Sequence, residues 1–333
     1  MRNLPKVSII IPTYNRANYL PQAIESALAQ DYPNLEVIVS DNCSTDETPE
    51  VVKKYMSDKR FKYFRNKENI GMIRNWRKAL YECATGDWAI ILSDDDYFID
   101  NSYVDKAISL ILNNDNVVLV HANLTIFDET TNSKVYINKN SNKMLESIMD
   151  GKSIFLNYEK GKLIFYLCAT LFNVNVIKSI NAFSYEKVVG SDTLEFLRLS
   201  LRGNVGFIEE NVVVYRIHKY STMVNADLDT LFENTKYITV PYIEAKELNI
   251  FPEEVLEKWK VRMLRRYFNI ILNKIFTTHN VDLLKHFYKK IKREYPEALP
   301  IFLYPKNVIK LFLFRSPKLY NNVLKLKNRI KGL

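Results

Sequence analysis

The chain has 333 residues, 47% hydrophobic and 26% charged, with a net charge of +9. This composition excludes a disordered polypeptide and leaves room for about two domains. Only 8 glycines are present, with neither a Gly-x-Gly-x-x-Gly nor a Walker lysine motif, so dehydrogenase and P-loop readings are set aside.

In chain order, Lys6–Ile11 (KVSIII) is a β-branched run that predicts a buried strand, closed by the loop Pro12–Asn18. Tyr19–Gln30 places Leu20, Ala23, Ile24, Ala27 and Leu28 at helical spacing. Leu35–Ser40 predicts a second strand, and the polar stretch Ser44–Glu47 opens a helix around Pro49–Tyr55. Phe61–Arg65 reads as a third strand and Ile73–Ala84 as a helix stopped by Gly86. Trp88–Ser93 is a fourth strand, Tyr103–Leu112 a helix and Val117–Asn123 a fifth strand. This βαβα order predicts an α/β fold with a doubly wound, mostly parallel sheet. Ligands of such sheets bind outside the carboxyl ends of the strands. Pro12–Asn15, Asp41–Asp46 and Ser93–Asp96 then share one edge.

From about residue 140 the pattern changes. Lys143–Asp150 and Ser153–Phe155 read as helix, Leu163–Phe172 as an apolar run, Asn173–Ile180 and Thr193–Leu201 as helices, and Asn204–Tyr215 as a strand. Leu231–Asn249, Glu253–Thr277 and Val281–Tyr295 read as helices before a tail. The expected division is a sheet domain over 1–225 and a mostly helical C-terminal region over 226–333.

Charge is unevenly placed. Residues 251–333 carry 19 Lys+Arg against 6 Asp+Glu, whereas residues 1–250 are net −4. The last segment, 298–333, mixes aromatic and aliphatic residues with lysines and predicts interfacial helices on an anionic membrane surface. An oligomerisation tail with solvated lysines is the alternative; nucleic acid is set aside because no motif for it is present. No run approaches ~18 apolar residues, and Val7–Ile11 is too short for a signal peptide before Pro12 closes it. The expected location is cytoplasmic, with peripheral attachment to the inner face of the cell membrane as an option. Cys43, Cys83 and Cys168 lack zinc spacing and predict reduced thiols.

Asp94, Asp95 and Asp96 directly follow a hydrophobic strand. Three adjacent carboxylates repel one another, and a hard divalent cation, Mn²⁺ or Mg²⁺, resolves that repulsion. The bland reading is a solvated acidic turn. Position at the end of a central strand favours the metal, which suits a nucleotide diphosphate.

With these pieces in order, the sequence resembles the family 2 inverting glycosyltransferases of GT-A fold, a bacterial cell-surface polysaccharide type. The resemblance is carried by KVSIIIPTYNRANYLPQAIESALAQDYPNLEVIVSDNCSTDET, by NIGMIRNWRKALYECATGDW and by AIILSDDDYF, over roughly the first 105 residues. It implies a donor site in which Pro12, Thr13, Tyr14 and Asn15 form the wall after the first strand, with Tyr14 near the nucleobase. Asp41 would accept a hydrogen bond from the base, and the Asn69–Gly71 turn would border the pocket. Asp95 matches the metal-binding aspartate, with Asp96 and His218 as further ligands. Ser93 stands where many relatives have an Asp, which leaves open whether Asp94 or Ser93 faces the ribose.

Inverting transfer also needs a general base. Asp192 stands before the amphipathic stretch TLEFLRLSL and matches the family's base, with an N-cap as its bland reading and Glu195 as a substitute. Arg216 would meet a phosphate or an acidic neighbour. The resemblance thus implies transfer of one sugar from a nucleotide-sugar, UDP-sugar favoured, to a saccharide or lipid-linked acceptor. A sugar nucleotidyltransferase and a non-catalytic binding module are the rival readings.

Overall fold

The structure is a computed structural model and describes residues 4–136, 147–160, 165–218, 227–278 and 280–314. The chain divides into two compact units, Met1–Asn225 and Ala226–Leu333.

The first unit is built on one ten-stranded sheet. Its strands are β1 (Val7–Thr13), β2 (Leu35–Asp41), β3 (Phe61–Arg65), β4 (Trp88–Ile91), β5 (Tyr97–Phe98), β6 (Val117–Asp128), β7 (Ser133–Tyr136), β8 (Ile148–Met149), β9 (Thr170–Asn173) and β10 (Asn204–Ile217). The order is β3-β2-β1-β4-β9-β6-β10-β5, with β7 added to β6 and β8 to β10. β3, β2, β1 and β4 run parallel, as do β6 and β10; β9 is inserted antiparallel between β4 and β6. The helices α1 (Leu20–Leu28), α2 (Thr48–Lys53), α3 (Met72–Lys78) and α4 (Tyr103–Leu112) connect the first strands, and α5 (Gly151–Asn157), α6 (Val174–Ser179) and α7 (Ser191–Ser200) follow.

Side chains alternate across a strand, so consecutive Val and Ile residues serve two cores. Ile9 and Ile11 of β1, and Val37 and Val39 of β2, pack into one cluster, while Ile10 and Ile38 pack into the other. Both faces are covered, as a sheet of largely parallel strands requires. One carboxylate is buried on the way: Glu36 takes Ser8 Oγ at 2.6 Å, Lys62 Nζ at 2.7 Å and the Thr85 backbone N–H at 2.8 Å, with Lys6 Nζ at 2.8 Å. Gly86 follows from close approach rather than helix stopping: a Cβ there would lie 2.6 Å from Ser8 Oγ.

Three local expectations change. Ile148–Met149 is a strand, paired antiparallel with Val205 and Gly206, rather than the end of a helix over 143–150. A two-residue apolar pair carries no period, and the helix starts only at Gly151, where Asp150 caps Ser153 N at 2.9 Å. Residues 143–146 lie outside the described residues. The helix expected over Ile73–Ala84 is α3 followed by a π-helical turn, Ala79–Cys83. Within the apolar run, Leu167–Ala169 is a 3₁₀ turn leading into β9; residues 163–164 are outside the description.

The second unit is helical: α8 (Leu228–Glu233), α9 (Lys236–Glu247), α10 (Glu253–Thr278), α11 (Val281–Glu294), a 3₁₀ stretch Pro296–Leu303 and α12 (Pro305–Phe314). Its core is the apolar stripe of α10, including Trp259, Phe268 and Phe276, with Phe268 meeting Phe232 and Phe287 edge-on or tilted. The segment 315–333, on which most of the tail expectation rests, is outside the described residues. No helix among the described residues is long and apolar enough to cross a membrane.

Candidate active site

The parallel register brings three loops to the carboxyl edge. Thr13 at the end of β1 lies opposite Asp41 at the end of β2, and Ile10 lies opposite Ile91 of β4. The loops then interlock through polar contacts. Thr13 Oγ1 donates to Asp94 Oδ2 at 2.7 Å. Asn15 N donates to Ser44 Oγ at 2.9 Å, and Asn15 Oδ1 accepts Thr45 N at 2.7 Å. Asn15 holds φ at 53°, a left-handed conformation that Asn tolerates better than most residues.

Pro12 and Thr13 are buried, whereas Tyr14 is exposed at the rim. Asp41 is fully buried and its carboxylate is engaged by the protein: Oδ1 accepts Ser44 N at 2.7 Å and Oδ2 accepts Tyr63 OH at 2.6 Å, with Arg65 Nε at 3.4 Å. As folded, Asp41 holds the 42–45 loop. Asn69 and Gly71 form a turn fixed from below. Asn69 Oδ1 accepts both Asn42 Nδ2 at 2.8 Å and Gly71 N at 2.9 Å, while Asn42 Oδ1 accepts Ile70 N at 3.0 Å. Gly71 sits at φ 89°, which only glycine adopts freely.

The acidic turn separates its three carboxylates. Asp94 is turned to Thr13; burial and the neighbouring Asp95 charge push it up to about 7. Asp96 accepts the Arg216 backbone N–H at 2.9 Å on Oδ1, while its Oδ2 is buried without a hydrogen-bond partner. Burial and Asp95 raise it well above the usual carboxylate range. Asp95 Oδ2 lies 2.7 Å from His218 Nε2. Tyr19 stacks on the His218 ring at 5.6 Å, and Arg16 Nη1 approaches the same Nε2 at 3.1 Å.

Arg216 meets an acidic neighbour. Its guanidinium donates to Asp95 O at 2.8 Å, Glu129 Oε1 at 2.6 Å and Gln22 Oε1 at 2.7 Å. Glu129 in turn accepts Tyr19 OH at 2.9 Å. Arg16, Tyr19 and Glu129 had no role assigned from sequence. Their spacing to His218 or Arg216 is long-range, so no local signal marks Tyr19 or Glu129; the basic Arg16 beside the loop was the one visible hint.

Asp192 lies in the first turn of α7 but does not cap it. Gly190 occupies the N-cap position without a side-chain bond, and Asp192 Oδ1 takes the Thr193 N–H at 2.7 Å. Burial pushes Asp192 up to about 6. Its charge reaches Tyr166, whose hydroxyl is raised by burial, Cys168 and Asp192. Tyr166 packs on Tyr215 at 5.1 Å, and Tyr215 is raised by burial and by Asp96. Glu195 is withdrawn from this region: it is buried, paired with Arg198 at 2.8 Å and accepting Phe183 N at 2.7 Å.

Among the described residues no group of three or more His, Cys, Asp or Glu side chains forms a ready metal shell. Asp95 and His218 are the pair that lies together, and Asp96 Oδ2, buried without a hydrogen-bond partner among the described residues, is an oxygen of the type that suits a hard cation.

The sequence model of glycosyl transferase family 2 matches residues 8–180, more than half the chain. The chain belongs to glycosyl transferase family 2. This family 2 glycosyltransferase is 31% identical over 204 residues to an uncharacterized glycosyltransferase of Haemophilus influenzae, covering 56% of this chain and 80% of that one. It is 32% identical over 117 residues to the poly(ribitol-phosphate) beta-N-acetylglucosaminyltransferase TarS of Staphylococcus aureus, 34% of this chain and 20% of TarS. The structure of TarS 1–349 in complex with UDP-GlcNAc superposes with a TM-score of 0.71 at 17% identity, covering 98% of this chain and 92% of that one. The mannosyltransferase of Pyrobaculum calidifontis in complex with GDP-Man and Mn²⁺ gives 0.54 at 16% identity, covering 95% and 89%. These similarities show the GT-A fold, a mostly parallel sheet followed by a helical region. Family membership sets the nucleotidyltransferase and binding-module readings aside.

Proposed function

We propose that this glycosyltransferase moves a single sugar from a nucleotide-sugar to an acceptor hydroxyl with inversion, in the assembly of a cell-surface polysaccharide or glycolipid. The observation that carries the mechanism is Asp192: a carboxyl raised to about 6, with one oxygen uncommitted among the described residues, in the first turn of a helix it does not cap. Such a group is ionised at neutral pH yet basic enough to take a proton. Asp192 accepts the proton of the acceptor hydroxyl as its oxygen bonds to the anomeric carbon. The bond from that carbon to the nucleoside diphosphate breaks on the opposite face, and the diphosphate carries away the electron pair.

Thr13, Tyr14, Asn15 and the Asn69–Gly71 turn receive the nucleotide, with Pro12 and Asp41 shaping that wall and Asp94 beside the ribose. A UDP-sugar is the favoured donor, supported by the TarS complex with UDP-GlcNAc. Asp95 and His218, with Asp96 as a further ligand, would hold Mn²⁺ or Mg²⁺; the Mn²⁺ in the mannosyltransferase complex supports this. When bound, that cation supplies positive charge to the departing diphosphate.

Residues 1–225 bind donor and catalyse, and 226–333 meet an anionic membrane surface that presents a lipid-linked acceptor, on the cytoplasmic side. Exposed Leu303, Val308 and Ile309 beside the exposed Lys306 support that contact, which places apolar and basic groups together. Release of nucleoside diphosphate from UDP-GlcNAc and other UDP-sugars, wild type against Asp192→Asn, tests the reading. Turnover by the wild type and its loss in the variant are expected; equal turnover in both would remove Asp192 as the base.

A further inference from the structure

Two arginines reach the acidic turn, and they differ in what they have left to give. All three guanidinium nitrogens of Arg216 are committed, to Asp95 O, Glu129 and Gln22. The Arg16 guanidinium makes one polar contact among the described residues, from Nη1 to His218 Nε2 at 3.1 Å, and lies 5.9 Å over the Tyr19 ring. The rest of its fork has no protein partner there.

The contact that Arg16 does make is contested. His218 Nε2 is 2.7 Å from Asp95 Oδ2 and 3.1 Å from Arg16. A ring nitrogen carries either a proton or a lone pair. With the proton, Nε2 donates to Asp95 and faces the Arg16 N–H groups as one donor faces another. With the lone pair, it accepts from Arg16 and faces the Asp95 oxygen as one acceptor faces another. No tautomer satisfies both. The longer contact, to Arg16, is the weaker hold.

We propose that Arg16 is the anion-binding residue of this site: it leaves His218 Nε2 and turns its guanidinium to the diphosphate of the donor. This rests on the reading that a nucleotide-sugar is the donor. A guanidinium fork matches phosphate oxygens in two parallel hydrogen bonds, which an ammonium cannot reproduce. Arg16 stands three residues beyond the end of β1, in the loop that also carries Tyr14 and Asn15, so a nucleotide lying on that loop brings its phosphates to the same edge.

The test is calorimetric titration of wild type, Arg16→Ala and Arg16→Lys with UDP, GDP, dTDP and their nucleosides, with Mn²⁺ present throughout. The backbone carbonyl of Arg16 accepts Tyr19 N and Leu20 N at 3.0 and 3.1 Å in any variant, so the start of α1 is kept, and a thermal melt checks it. Arg16→Ala is expected to weaken the diphosphate bound by the wild type about tenfold or more while changing its nucleoside by less than about twofold, with partial recovery in Arg16→Lys. Unchanged diphosphate affinity in Arg16→Ala would overturn the assignment. Equal loss of diphosphate and nucleoside would overturn it too, since Arg16 would then shape the loop. No binding of any nucleotide by the wild type would bring down the donor reading itself, and this inference with it.

Discussion

Thr13 and Asp94 are 81 residues apart in sequence and 2.7 Å apart in space, hydroxyl to carboxylate. This bond ties the end of β1 to the acidic turn after β4 and fixes one carboxylate of three. Its presence also shows how costly the turn is, because Asp94 stays raised to about 7 in spite of the Thr13 hydrogen bond.

Stability in the absence of metal should therefore fall with pH. Asp94 ionises near 3.8 when unfolded and near 7 when folded. Between those values the folded state keeps a proton that the unfolded state releases, so unfolding gains as pH rises through that window and the loss is complete above about 7. Asp94→Asn should make this slope shallower, leaving the share of Asp96 and Asp192, and be more stable than wild type at pH 7.5 in EDTA, on the order of 2 kcal/mol. Thermal melts from pH 4 to 8 measure it; parallel curves for the two proteins would refute the burial argument.

Glu36 should behave in the opposite sense. Burial works to raise it, but Lys6, Lys62, Ser8 and Thr85 outweigh burial and hold it at about 2. Its contribution is complete above about 4.5 and is lost as pH falls toward about 2. Glu36→Gln leaves two ammonium groups without their shared carboxylate and should cost about 3 kcal/mol at neutral pH. Chemical denaturation at pH 7 reads this directly, and a loss near zero would show that the network adds nothing.

Much of this framework was legible beforehand, and the reason is periodicity. Phe61–Arg65 and Tyr103–Leu112 have the bounds expected from pattern alone, because each is bounded by turn residues and carries one clear period. The short strands Tyr97–Phe98 and Ile148–Met149 had no such signal. Among site residues, the three loops followed from strand order. The Tyr19–Glu129–Arg216 clasp did not, since its members are brought together by contacts 87 to 110 residues long in sequence.

Asp192→Asn should lower turnover about a hundredfold or more while leaving nucleotide affinity unchanged. Because Gly190, and not Asp192, is the N-cap, and because burial raises Asp192, the melting temperature should not fall and should rise somewhat at neutral pH. In the wild type, rate should rise with pH through about 6 as Asp192 loses its proton and becomes competent as a base. A rate that is flat from pH 5 to 7 would count against it.

Gly71→Ala should weaken nucleotide binding without any steric clash. A Cβ there meets nothing within 4 Å, but the backbone at φ 89° is strained for any side chain, at about 1 kcal/mol. The turn would relax and shift Asn69. Nucleotide affinity reports it, and wild-type affinity would show that the turn is not part of the donor pocket.

The most direct test of the account is titration of UDP into wild type and Asp95→Ala, each in Mn²⁺ and in EDTA. The account predicts binding by the wild type in Mn²⁺, and its loss in EDTA and in Asp95→Ala under either condition. Equal binding in all four titrations would contradict the placing of a cation at Asp95 and His218.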